Sequence, residues 1–184
     1  MKAFNSGRHP TKINSKRVKA YEVWRHLMMR CGYLNKPPKR RYTQEDVSVH
    51  HTWLDYSNFY EDVTKMHGYD VDDFVLDKDI LSGKKKIYSV STCCFVPDEI
   101  NAIFTKSDST RGNYLIGVDF HKKTGKFRAR CRKHLGLFDS EHEAFLAYKY
   151  EKERLIKELA DKWKDGIDVR VYQALINYRV EITD

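Results

Sequence analysis

The sequence predicts an α+β protein in two units, and three observations carry that expectation. An apolar run with interspersed acids at residues 74–81 leads into a lysine-rich turn, a second short strand and a helix start at Val96-Pro97-Asp98. A polar stretch, Lys106-Ser107-Asp108-Ser109-Thr110-Arg111-Gly112-Asn113, then interrupts the pattern as a linker would. Beyond it, a strand in which cations alternate with apolar residues is followed by a long helical stripe. The expected order is a flexible basic arm at 1–16, a helical and strand–turn–strand–helix unit at 17–106, and a linker at 107–113. A three-stranded antiparallel sheet packed on a long helix, with a C-terminal helix, fills 114–184.

The chain has 184 residues, 41% hydrophobic and 13% aromatic, enough for modest cores. Its net charge of +8 favours a polyanionic partner, and the distribution is more telling than the total. Residues 1–43 hold twelve Lys/Arg against Glu22 alone, and residues 44–82 hold ten Asp/Glu against Lys65 and Lys78. Residues 83–134 return to twelve Lys/Arg against four acids. An acidic block between two basic ones suits either a metal site or a solvated helix face. The cysteines are Cys31, Cys93, Cys94 and Cys131, better matched to reduced thiols or a zinc site than to a disulfide framework. No apolar run approaches membrane-spanning length, so a soluble, intracellular protein without a membrane partner is expected.

Element by element, Val18, Tyr21, Trp24, Met28 and Cys31 form a helical stripe closed by Gly32. Asn35-Lys36-Pro37-Pro38-Lys39-Arg40-Arg41 reads as a loop, and Val47-Ser48-Val49 as a short strand before a helix holding Trp53, Phe59, Val63 and Met66. Trp53 and Phe59 are expected in the core. Residues 74–81 make a strand, Ser82-Gly83-Lys84-Lys85-Lys86 a turn, Ile87-Tyr88-Ser89 and residues 93–96 the return, and Pro97 with Asp98 and Glu99 a helix start. In the second unit, residues 114–120 and 126–132 flank the hairpin turn Lys122-Lys123-Thr124-Gly125. Period-two alternation puts Lys126, Arg128, Arg130 and Arg132 on one face, opposite Phe127, Ala129 and Cys131. Like charges so stacked repel, and a phosphate ligand is the expected compensation. Ser140-x-x-Glu143 is a capping box for the long helix, whose stripe is Ala144, Tyr148, Leu155, Leu159 and Trp163.

Two resemblances cover most of the chain. Ile116-Gly117-Val118, Gly125-Lys126-Phe127-Arg128-Ala129 and Leu135-Gly136-x-Phe138-Asp139-Ser140-x-x-Glu143-Ala144 resemble the plant ethylene-response-factor DNA-binding domain. That resemblance implies a sheet laid in the major groove of double-stranded DNA, with Lys126, Arg128, Arg130, Arg132 and Lys133 as contacts; the turn lysines Lys84, Lys85 and Lys86 are further candidates. No tryptophan occurs on this sheet. Tyr21-x-x-Trp24, Val49-x-x-x-Trp53, Leu76-Asp77-Lys78-Asp79, Tyr88-Ser89, Cys93 and the helix reaching Asn101 resemble phage HNH homing endonucleases. What this implies is an ββα-metal nuclease unit in which Asp77 and Asn101 hold one Mg²⁺ or Mn²⁺, in the cytoplasm of an infected bacterium.

The usual histidine general base of that motif is replaced by Lys78, whose acidic neighbours favour its charged form, and Thr92 stands where the family has an asparagine. His50, His51 and His67 are then the available imidazoles. Cys31, His50 and Cys93, with His51 or Cys94, are candidates for a structural Zn²⁺. The expectation is an endonuclease or nickase, favoured as a monomer and needing no small-molecule cofactor; the alternative is a DNA-binding or regulatory protein derived from one.

Overall fold

Residues 74–77 form a strand with Phe74 and Asp77 buried and Val75 and Leu76 half-buried, and the side chain at its end stops it. Asp77 Oδ1 accepts the N–H groups of Asp79 and Ile80, each at 2.9 Å, and so turns the chain into a short helix. The expected strand over 74–81 is therefore half as long. The computed structural model describes residues 2–34, 47–83, 85–104 and 113–182. Its elements are β1 Lys12–Ile13, β2 Lys16–Arg17, α1 Lys19–Arg30, β3 Ser48–Val49, α2 Tyr56–Val63, β4 Phe74–Asp77, α3 Asp79–Ser82, β5 Ile87–Tyr88, β6 Cys94–Pro97 and α4 Asp98–Phe104. They continue as β7 Val118–His121, β8 Lys126–Cys131, β9 Lys133–Phe138, α5 Glu141–Trp163 and α6 Val169–Ile176. The protein is mixed α+β.

Two compact units result: Met1–Asn101 with Gly166–Val171, and Ala102–Asp165 with Tyr172–Asp184. The division falls nearer Asn101 than the linker, whose residues 107–112 lie outside the described residues, as does the loop at 35–41.

In the first unit, Ala20, Trp24, Leu27 and Met28 of α1 are buried, and Trp24 Nε1 donates to the Trp53 carbonyl at 2.8 Å. The stripe is thus rotated towards Leu27, leaving Tyr21 and Cys31 partly exposed. Trp53 and Phe59 are core, their rings 4.9 Å apart edge to face. Residues 2–17 are not a free arm. Phe4 bridges to Asp55, Ser6 N–H donates to Asp55 Oδ1 at 3.0 Å, and Tyr56 Oη donates to the Pro10 carbonyl at 2.8 Å. β1 and β2 pair around Asn14 and Ser15, both with positive φ. The same Asp55 oxygen accepts Ser57 N–H and caps α2, so one carboxylate ties the N-terminal segment to a helix start.

β4 pairs antiparallel with β6, Asp77 opposite Cys94, and β6 runs directly into α4. The strand after the lysine turn is not the partner of β4: β5 pairs in parallel with β3, Val49 opposite Tyr88. Phe95, Val96 and Ile100 are fully buried beneath this ββα element. Gly68, at φ 81°, lies where a Cβ would stand 2.5 Å from the Phe74 ring, so the turn before β4 requires glycine.

The second unit is the expected antiparallel sheet, β7-β8-β9, covered on one face by α5. Val118, Ala129 and Cys131 pack with Ala144, Phe145, Tyr148 and Val180. Ser140 and Glu143 form the capping box: Ser140 Oγ accepts from Glu143 N–H at 3.2 Å and Glu143 Oε2 from Ser140 N–H at 3.1 Å. The buried stripe of α5 is Ala144, Phe145, Tyr148, Ile156 and Ala160, while Leu159 and Trp163 stay partly exposed. The expected C-terminal helix is α6.

Candidate functional site

Asp77 ends β4 with its side chain 5% exposed, inside the first unit. Burial pushes its carboxyl above the usual range. The backbone N–H of Ile80 opposes that shift, Asp79 adds to it, and Asp79 N–H and Lys78 pull the other way. Both hydrogen bonds fall on Oδ1. Oδ2 accepts none among the described residues, and because no fully enclosed polar side-chain atom lacks a partner, that oxygen keeps contact with solvent. A buried anion without an ion-pair partner, with one oxygen still reachable, is the donor a hard divalent cation suits. Asn101 lies one turn into α4, half-buried, on the helix that β6 delivers from its pairing with Asp77.

Lys78 is engaged by its neighbours. Its ammonium pairs with Asp79, its side chain is 8% exposed, and it lies 5.6 Å from the centroid of the Tyr88 ring. Arg30 in turn donates to Tyr88 Oη at 2.9 Å. Thr92 braces the loop before β6: its hydroxyl accepts from Ser89 N–H at 3.0 Å and donates to the Ile87 carbonyl at 2.6 Å.

The histidines separate by what they touch. His67 Nε2 bonds the Gly166 carbonyl at 3.0 Å. His51 is exposed, its ring 4.3 Å from that of His50. His50 Nδ1 bonds Thr52 Oγ1 at 2.8 Å, and the residue lines an open cleft of about 420 Å³ with Thr52, Trp53, Ser89, Ser91 and Arg170. Cys31 and Cys93 both lie within electrostatic reach of Lys78 and Tyr88. Burial pushes their thiols up to about 11 and about 12, so both are protonated at neutral pH. Among the described residues no group of three or more His, Cys, Asp or Glu is placed to hold a metal. Cys31, His50 and Cys93 are not brought together as a zinc set there.

The basic strand differs from expectation in two respects. Arg132 is the single residue between β8 and β9, at φ 56°, and the register shifts between Ala129 and Arg130; three cations, not four, lie along the strand. Nor are these cations uncompensated. Asp119 on β7 stands opposite Arg128, accepting from Nε at 3.1 Å and Nη2 at 2.6 Å, and also meets Arg130 Nε at 3.2 Å. Lys126 pairs with Asp139 at 2.9 Å and Lys133 with Glu151 at 2.8 Å. The repulsion is relieved by the unit's own acids. Lys85 and Lys86 are exposed between α3 and β5, and Lys84 lies outside the described residues.

Asp119 is the residue that reading the sequence missed. The turn at 122–125 implies its register opposite Arg128, a signal that was legible. Comparison with protein-family models, with curated proteins and with solved structures finds no match for this chain. Among the described residues no helix is long and apolar enough to cross a membrane.

Proposed function

We propose that the protein is a divalent-metal-dependent DNA endonuclease or nickase of the HNH class, with the three-stranded sheet as its contact to double-stranded DNA. One observation carries this reading: a buried carboxylate, Asp77, without an ion-pair partner among the described residues, at the end of a β4–β6 pair that feeds the helix bearing Asn101. Perturbed carboxylates of this kind collect at functional sites. Asp77 Oδ2 and the Asn101 amide oxygen would hold the ion, which when bound supplies positive charge at the scissile phosphate and its leaving oxygen.

Asp77 Oδ1 stays with the α3 backbone and fixes the carboxylate. Lys78 is engaged by Asp79 and the Tyr88 ring. The proton of the attacking water goes to His50, whose Nδ1 is oriented by Thr52 and whose other ring nitrogen remains for the transfer. Arg170 in the same cleft offers a cation to a phosphate, although Asp168 already takes two of its nitrogens.

The test is nicking of supercoiled plasmid with Mg²⁺ or Mn²⁺. Asp77→Asn keeps an oxygen for the α3 N–H groups and removes the charge. It is expected to abolish nicking while plasmid binding persists; equal nicking by both proteins excludes this site.

The engagement of Lys78 favours one second reading, a DNA-binding protein that no longer cuts. It predicts duplex binding by the wild type without nicking under either ion.

A further inference from the structure

We infer that Asp119 is a positioning residue that turns Arg128 from a phosphate ligand into a fixed reader of guanine; this rests on the reading of the sheet as a DNA contact. A guanidinium has five N–H donors in a planar fork. Asp119 occupies one edge of Arg128 through Nε and Nη2, at 3.1 and 2.6 Å. The opposite edge, one N–H each from Nη1 and Nη2, is left as a parallel pair. That pair matches the O6 and N7 acceptors of guanine in the major groove.

The surroundings hold the fork in place. Asp119 and Arg128 are cross-strand partners near the middle of the sheet, with side chains 28% and 30% exposed. Arg128 lies on the central strand with backbone on both sides, and Asp119 reaches it from the edge strand β7. Arg130, 60% exposed, leans on the same carboxylate through Nε at 3.2 Å. A carboxylate on the contact face is costly next to a phosphate and harmless next to a base edge whose reader it orients. It lowers affinity for any duplex and concentrates what remains on the right one.

Removing the charge of Asp119 should therefore have two effects of opposite sign. Affinity for random duplex rises, and its salt dependence steepens by up to about two units of log–log slope as Arg128 and Arg130 become free for phosphates. Preference for guanine at the read position falls, by roughly 5- to 150-fold. A purely structural role for Asp119 would instead lower affinity for all duplexes together.

The experiment selects duplexes from a randomised library with the full chain, then measures affinity for the selected duplex and for its variant with that guanine replaced. Wild type, Asp119→Asn and Arg128→Lys are compared, with folding checked by circular dichroism. The expected result is a guanine preference in the wild type that both variants lose, with random-duplex affinity raised in Asp119→Asn. Arg128→Lys supplies the same readout if Asp119→Asn does not fold. Selection by the wild type with preference unchanged in the variants overturns this inference and leaves the DNA reading standing. Retention of no duplex overturns the DNA reading, and this inference with it.

Discussion

At the scale of single residues, Asp77 and Asp119 are carboxylates shifted in opposite directions by their surroundings. Burial raises the Asp77 carboxyl, so its folded form favours the proton; that contribution is present below the ordinary carboxylate range and is lost as pH rises through the raised value. Asp77→Asn should then be more stable than the wild type at pH 7 in EDTA, and the difference should close as pH falls towards about 4. Chemical denaturation across pH 4–8 measures it. Asp119 is the reverse case. Arg128 above all holds its carboxyl below the usual range, burial working against it, so its stabilisation is present at neutral pH and lost as pH falls. On the proposed mechanism His50 takes the proton of the attacking water, so His50→Gln should slow nicking by roughly 100-fold or more while leaving duplex affinity unchanged. Rates at saturating plasmid separate the two effects.

At the scale of elements, local chemistry was legible wherever it leaves a pattern. The capping box at Ser140 and Glu143, the three strands of the second sheet and the ββα order were all open to sequence reading. What escaped depends on conformations that leave no periodicity. The basic strand ends one residue early because Arg132 adopts a left-handed turn, which an arginine does not advertise. The N-terminal segment looked free because backbone hydrogen bonds to Asp55 and Leu54 hold it, rather than an apolar stripe. Of the two short stretches read as the return after the lysine turn, only the second pairs with β4; the first, β5, joins β3. Gly117 is required where β7 meets α5: at φ 76°, a Cβ would stand 2.0 Å from the Tyr148 ring. Gly117→Ala should cost about 2 kcal/mol, and Ser140→Ala about 1 kcal/mol through loss of the cap, both read by urea denaturation.

At the scale of the whole molecule, the two units divide the proposed labour, metal chemistry in the first and DNA recognition in the second. Charge alone suggested a polyanionic partner, yet the cations of β8 and Lys133 turn out to be matched by Asp119, Asp139 and Glu151. Net charge therefore overstates what the sheet offers to phosphates, and on the proposed reading its role is specificity. Arg128→Ala with Arg130→Ala should weaken duplex binding and leave any Mn²⁺-induced rise in melting temperature intact; Asp77→Asn should do the converse. The most direct measurement is a Mn²⁺ titration of the full chain followed by electron paramagnetic resonance. One ion bound by the wild type and none by a folded Asp77→Asn variant is the predicted result; equal binding by the two would contradict the assignment of Asp77 as a metal ligand.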